Sequence, residues 1–259
     1  MSTLVSAIGS GSLVGFTLGL LGGGGSILAT PLLLYVVGVS QPHIAIGTGA
    51  LAVSANAILN FVSHALKGNV RWRCGAVFAA LGVVGALAGS SLGKAMDGSQ
   101  LLLLFGVVMI VVGLLMLQPR KTLEVAPKPV DARMCLMTAL VALATGAASG
   151  FVGIGGGFLI VPGLILATGM PMINAVGTSL LAVAAFGLAT AINYALSGLV
   201  DWALAGEFIL GGLIGGLLGT WTSTRLGAHK NTLNRIFAAM LFVTAAYVIY
   251  KSLNTIITR

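Results

Sequence analysis

Charge is scarce in this chain. Asp, Glu, Lys and Arg make up 7% of its 259 residues, where a soluble domain carries roughly a quarter. Too little polar sequence is present to cover a water-facing surface, and the mean hydropathy of +1.08 says the same. Only five residues are acidic. None lies deep in an apolar run of the first half, and no paired carboxylates, GxSxG or HExxH are present, so an intramembrane enzyme or a cation pump has no chemistry to work with. Two cysteines, Cys74 and Cys135, lack metal-ligand spacing and read as small buried residues, with a bridge left open. The three histidines are not arranged as a metal site. No cofactor is implied. Strand-like alternation is missing, which argues against an outer-membrane barrel. The formal charge of +8 does not indicate nucleic acid, because the basic residues sit in short segments between apolar runs.

Apolar runs are what the chain has in abundance. They fall near 4–21, 26–38, 44–66, 74–93 and 100–117, then near 134–151, 158–169, 172–196, 203–224 and 235–257. Several reach the roughly 20 residues needed to cross a bilayer, so the pattern predicts an all-α polytopic membrane protein. The N-terminal run has no basic leader and reads as the first membrane element. The two sets also match. Gly22-Gly23-Gly24-Gly25-Ser26 through Pro31 returns as Gly153-Ile154-Gly155-Gly156-Gly157 through Pro162. Gly47-Thr48 returns as Gly177-Thr178, Gly68-x-Val70-x-Trp72 as Gly198-x-Val200-x-Trp202, and Gly82, Gly85 and Gly89 as Gly212, Gly215 and Gly219. An offset held near 130 over this length indicates a duplication. The expected organisation is a first membrane repeat at 1–117, a cytoplasmic linker at 118–133 and a second repeat at 134–259. Each repeat would hold a short broken-helix pair or hairpin plus three longer transmembrane helices.

Lysine and arginine placement predicts the orientation. If each initial pair of short segments enters and returns, or crosses twice, the halves are inverted. Ten of the thirteen basic residues then fall on one side, with Lys94, Lys251 and Arg259 opposite. That asymmetry favours both termini outside the cytoplasm; the alternative, one span at 4–38 with four spans per half and parallel repeats, divides the basic residues less cleanly.

The glycine clusters lead the chemistry. Each precedes an apolar run and would aim helix-start amides at its tip, a setting for an anion that needs no basic side chain. Ser26 adds a hydroxyl, whereas the second copy has Phe158. Dispersed glycines such as Gly85 and Gly215 read as packing positions. Asn56, Asn60 and Ser63 are spaced to share a helix face, as are Asn60 and His64. Amides in apolar surroundings serve as interhelical glue or as pathway groups. His64 reads as interfacial or as a proton relay, and His43 as a loop residue. Glu207, five residues into its run, becomes a proton-coupling candidate if it lies within the membrane.

These motifs, Gly22 to Pro31, Gly153 to Pro162, the two Gly-Thr pairs and the two Gly-x-Val-x-Trp echoes, resemble the sulfite exporter TauE/SafE family (the toluene sulfonate uptake permease family) over essentially the whole chain. The resemblance implies a multi-pass carrier of the bacterial inner membrane, surrounded by lipid and acting on a small inorganic or organosulfur anion such as sulfite or a sulfonate. A gradient of protons or another ion would drive it by alternating access, and a homodimer is compatible. Gly24, Gly25, Gly155, Gly156 and Gly157 become the anion cradle, with Ser26, Thr48, Asn56, Asn60, Thr178 and Asn193 as surrounding shell. An anion-selective channel and a non-transporting membrane accessory protein are the alternatives.

Overall fold

Two glycine-led hairpins fold against a central crossing of helices. The computed structural model describes residues 2–117, 132–152, 157–226, 239–240 and 242–251. The helices are α1 (Ser2–Leu21), α2 (Ala29–Leu32), α3 (Pro42–Leu66), α4 (Trp72–Ala95), α5 (Gly98–Leu117), α6 (Ala132–Val152), α7 (Gly157–Thr168), α8 (Met172–Ala195), α9 (Trp202–Leu226) and α10 (Phe242–Lys251). No strand occurs among the described residues. Five helical stretches, Thr3–Val37, Pro42–Leu66, Trp72–Ala95, Met172–Ala195 and Trp202–Arg225, are long and apolar enough to cross a membrane. Large apolar side chains stand exposed on α4 and α9 at matching places, Val84 and Leu87 on one, Ile214 and Leu217 on the other. In water such faces would be a liability; against lipid they cost nothing.

The first hairpin departs from a plain helix over 26–38. Gly22 has φ +63, a left-handed conformation that costs glycine little, and it ends α1. A 3₁₀ segment then runs Gly22–Leu28, followed by one α-turn as α2 and a π turn over Leu33–Val37. The local cause is in the sequence. Four successive glycines give an α-helix the least support, and Pro31 has no N–H to donate back along the turn. Gly25 lies against the Thr17–Leu18 backbone, so the 3₁₀ segment returns along α1. In the second half α7 packs on α6.

Helix partners are exchanged between the halves. α1 packs on α9 in parallel, Gly11 on Phe208, Gly15 on Gly212 and Gly19 on Gly216. α4 packs on α6 in parallel, with Gly146 on Gly82, Gly150 on Ala86 and Gly93 on Phe151. These are small-residue seams in which one backbone lies directly on another, the means by which apolar helices gain contact when lipid removes the hydrophobic drive between them. Gly85, Gly89, Gly215 and Gly219 all sit in such seams, as the packing reading anticipates. α3 and α8 cross at the centre in antiparallel sense: the Ser54 hydroxyl donates to the Ala184 carbonyl at 2.7 Å, and Gly47 sits by Tyr194.

Reciprocal bonds fix the connections after α3 and α8. The Asp201 N–H donates to Thr48 Oγ1 at 2.9 Å, and the Arg71 N–H donates to Thr178 Oγ1 at 3.0 Å. Just before these bonds the chain turns at Gly68 and Gly198, with φ +72 and +69. His43 is the second residue of α3, not a loop residue, with Nε2 3.2 Å from the Met96 carbonyl. Cys74 is a partly buried free thiol.

Candidate functional site

The two glycine motifs meet inside the bundle. Gly23 and Gly157 approach so closely that a Cβ on either would strike the other's backbone. Gly22 to Ser26 are all buried. The Gly23 N–H donates to Ser179 Oγ at 3.0 Å, and the Ser179 hydroxyl donates to the Val176 carbonyl at 2.8 Å. Ser26 turns its hydroxyl inward to the Gly23 carbonyl at 2.8 Å. The Thr17 hydroxyl lies 3.2 Å from the Gly25 carbonyl, with the Leu13 and Val14 carbonyls of its own helix each at 3.0 Å. The turn is thus lined by amides and hydroxyls and carries no formal charge. Gly155 and Gly156 fall outside the described residues, as do Gly153, Ile154 and most of the 118–133 linker.

A second polar group stands beside this turn on α3. Asn56, Asn60 and His64 form a stripe that faces α1 and α9. Asn56 is fully buried against Gly212, and neither its Oδ1 nor its Nδ2 has a hydrogen-bond partner among the described residues. Such a group forfeits about 1–3 kcal/mol of solvation. Asn60 donates from Nδ2 to the Asn56 carbonyl at 3.0 Å, and its Oδ1 accepts from the Thr220 hydroxyl at 3.0 Å. It also packs on Gly216 and faces Gly19. His64 is fully buried, with Nε2 3.1 Å from the Gly19 carbonyl. Ser63 is not part of the stripe; its hydroxyl turns back to the Leu59 carbonyl at 3.4 Å.

The remaining predicted residues lie apart. Thr48 and Thr178 serve the reciprocal bonds at opposite ends of the α3–α8 crossing, separated by about 18 Å of helix rise. Asn193 lies at the end of α8, in a cluster around Lys94. The Lys94 ammonium donates to the Asn193 carbonyl at 3.0 Å, to its Oδ1 at 2.9 Å and to Ser197 Oγ at 2.9 Å, and Asn193 Nδ2 donates to Ser90 Oγ at 2.6 Å. A cation there also complements the negative end of α8. Glu207 is half-buried, a little over one turn into α9 from the exposed Trp202.

Sequence reasoning counted Ser179 among the polar residues of its run without giving it a role, and missed Thr17 and Thr220 as partners. Ser179 stands beside the repeated Gly177-Thr178, which was a usable signal. Thr220 carried a fainter one, since the repeat offset pairs it with Ser90, another buried hydroxyl. Among the described residues no group of His, Cys, Asp and Glu is placed to hold a metal.

The profile of the sulfite exporter TauE/SafE family matches residues 7–248. The chain belongs to this family. It is 60% identical over 253 residues to a "Probable membrane transporter protein" of Xylella fastidiosa strain 9a5c, covering 97% of each chain. It is 25% identical over 264 residues to "Probable membrane transporter protein YunE" of Bacillus subtilis strain 168, covering 94% of this chain and 96% of that one. A "Probable membrane transporter protein" of Haemophilus influenzae strain Rd is 26% identical over 259 residues, with 93% and 96% covered. No solved structure matches significantly. The TauE/SafE chain is therefore a multi-pass membrane transporter.

Proposed function

We propose that the protein is a secondary carrier of a small oxyanion, sulfite, a sulfonate or a related organosulfur anion, working by alternating access between two inverted repeats at 1–117 and 134–259. The observation that carries this reading is the meeting of two glycine-led hairpins at Gly23 and Gly157, beside an antiparallel crossing of the equivalent helices α3 and α8. Discontinuous helices related in this way build the substrate sites of many secondary transporters. Backbone N–H and hydroxyl groups in a restricted dielectric offset the desolvation of an oxyanion. In this reading Gly24, Gly25 and Gly157 surround the anion, and Asn56 offers its unpartnered amide from α3. Thr48, Thr178 and Asn193 hold the frame. The seams α1–α9 and α4–α6 give each half a smooth surface on which to rock.

Lys67, Arg71, Arg73 and Arg225 gather at one end of the helices and Lys94 and Lys251 at the other. That supports an inner-membrane orientation with the 118–133 linker in the cytoplasm and both termini outside.

The test is flux through the purified protein in liposomes, with sulfite, sulfate, thiosulfate, sulfoacetate and an aryl sulfonate under imposed pH and voltage gradients. A carrier saturates and is stimulated by substrate on the far side. Flux that neither saturates nor exchanges would mean a channel, and no flux of any of these anions would count against the reading.

A further inference from the structure

We propose that His64 is the proton-binding group of the transport cycle, taking up a proton at Nδ1 and passing the change to the end of α1 that carries the glycine turn. This rests on the carrier reading and assigns its coupling ion.

The tautomer follows from the bond that His64 makes. Its Nε2 lies 3.1 Å from the Gly19 carbonyl, and a carbonyl only accepts, so Nε2 carries the hydrogen and Nδ1 holds the lone pair. Nδ1 is buried and has no hydrogen-bond partner among the described residues. A basic nitrogen is thus held ready inside the bundle, on the side chain that ordinarily changes charge near neutral pH.

The coupling route is short. Gly19 stands three residues before Gly22, where α1 ends and the glycine turn begins. The same Gly19 faces Asn60 Oδ1 and rests on Gly216 of α9. An imidazolium donates more strongly to the Gly19 carbonyl than an imidazole does. Protonation therefore tightens the hold on the last turn of α1, and deprotonation loosens it.

The charged groups around the imidazole are mostly cations. α1 has no ionisable side chain. On the other elements, Lys67 follows α3 and its ammonium donates to Thr224 Oγ1 on α9 at 3.4 Å; Arg71 and Arg73 start the path into α4; Arg225 of α9 is held over the Trp221 ring at 3.9 Å. Glu207, the carboxylate of α9, precedes Thr220 by about 20 Å of helix rise. Among the described residues no carboxylate is bonded to the imidazole. The equivalent position in the second half is Tyr194, whose buried hydroxyl has no partner among the described residues and which does not titrate in this range. Proton uptake therefore belongs to one half only.

The experiment compares wild type with His64→Gln in proteoliposomes. Glutamine can still donate to the Gly19 carbonyl but takes up no proton. Wild type should concentrate the transported anion under a pH gradient; H64Q should exchange anion across the membrane yet lose at least roughly tenfold in gradient-driven accumulation, about 1.4 kcal/mol of driving force. Accumulation by H64Q equal to wild type, or wild-type flux indifferent to the pH gradient, would overturn the assignment. A second readout does not need flux: nitrogen NMR of labelled histidine in nanodiscs, with H64Q identifying the signal. Protonation at Nδ1 as the pH is lowered is expected. An imidazole that stays neutral throughout would overturn the proposal. If wild type moves none of the anions, the carrier reading fails separately and the NMR result alone decides the proton site.

Discussion

The inner faces of α3 and α8 occupy equivalent places and carry different chemistry. Asn56, Asn60 and His64 on α3 stand where the repeat offset puts Phe186, Thr190 and Tyr194 on α8. The packing partner is duplicated too, for Asn56 lies on Gly212 and Phe186 on Gly82. One face is therefore an amide and imidazole stripe and the other is mainly aromatic, while each holds buried polar atoms without a partner among the described residues, at Asn56 and His64 on α3 and at Thr190 and Tyr194 on α8. Yet the bonds that set the frame are the same in both halves, Thr48 to the Asp201 N–H and Thr178 to the Arg71 N–H. Duplication has kept the scaffold symmetric and let the chemistry diverge. Groups that hold connections must satisfy the same geometry twice, whereas a side chain facing a seam has only to fit its volume.

Four tests probe this difference between the two faces. The largest effect on flux belongs to the place where the halves touch: Gly23→Leu should cut it roughly 100-fold or more, about 2.7 kcal/mol, because its side chain must displace the Gly157 backbone. Flux measured on correctly inserted protein checks this, and near-wild-type transport would remove the hairpin contact from the mechanism. Next, Phe186→Ala should destabilise by about 3–5 kcal/mol through the cavity it leaves, while Asn56→Ala, losing no hydrogen bond, should cost at most about 1 kcal/mol and still impair transport. Unfolding in mixed micelles, paired with flux, separates the two; equal losses of stability would mean that both faces are structural. Third, Thr48→Val and Thr178→Val should each cost about 1 kcal/mol, in equal measure. Their double variant should show the sum within about 0.5 kcal/mol, given their separation. Unequal or coupled losses would show that the frame itself is asymmetric. Smallest, Glu207→Gln should leave the pH profile of flux unchanged, and a shifted profile would move proton coupling from α3 to α9.

Much of the fold was legible along the chain. The apolar runs from 44–66 and 172–196 become α3 and α8 with ends moved by one or two residues, since a bilayer-length stretch without charge has few other states. The glycine clusters announced a break, and the paired Gly-Thr motifs announced equivalent positions. Less of the site could be read. Helical spacing offered both Ser63 and His64 as companions of Asn60, and only the packing of α1 and α9 on α3 selected His64. Ser26 looked available to a ligand beside the glycines, but the 3₁₀ turn gives its hydroxyl to the Gly23 carbonyl.

Hydropathy, run length and repeat offset are properties of the chain taken in order, and they specify a duplicated, all-α membrane protein with a helix break at the first glycine cluster. Tertiary structure alone decided that α1 pairs with α9 and α4 with α6, that Gly23 meets Gly157, and that His64 reaches Gly19. Those contacts join residues far apart in the chain, and in an apolar medium they are selected by how closely two backbones can fit, which no local pattern records.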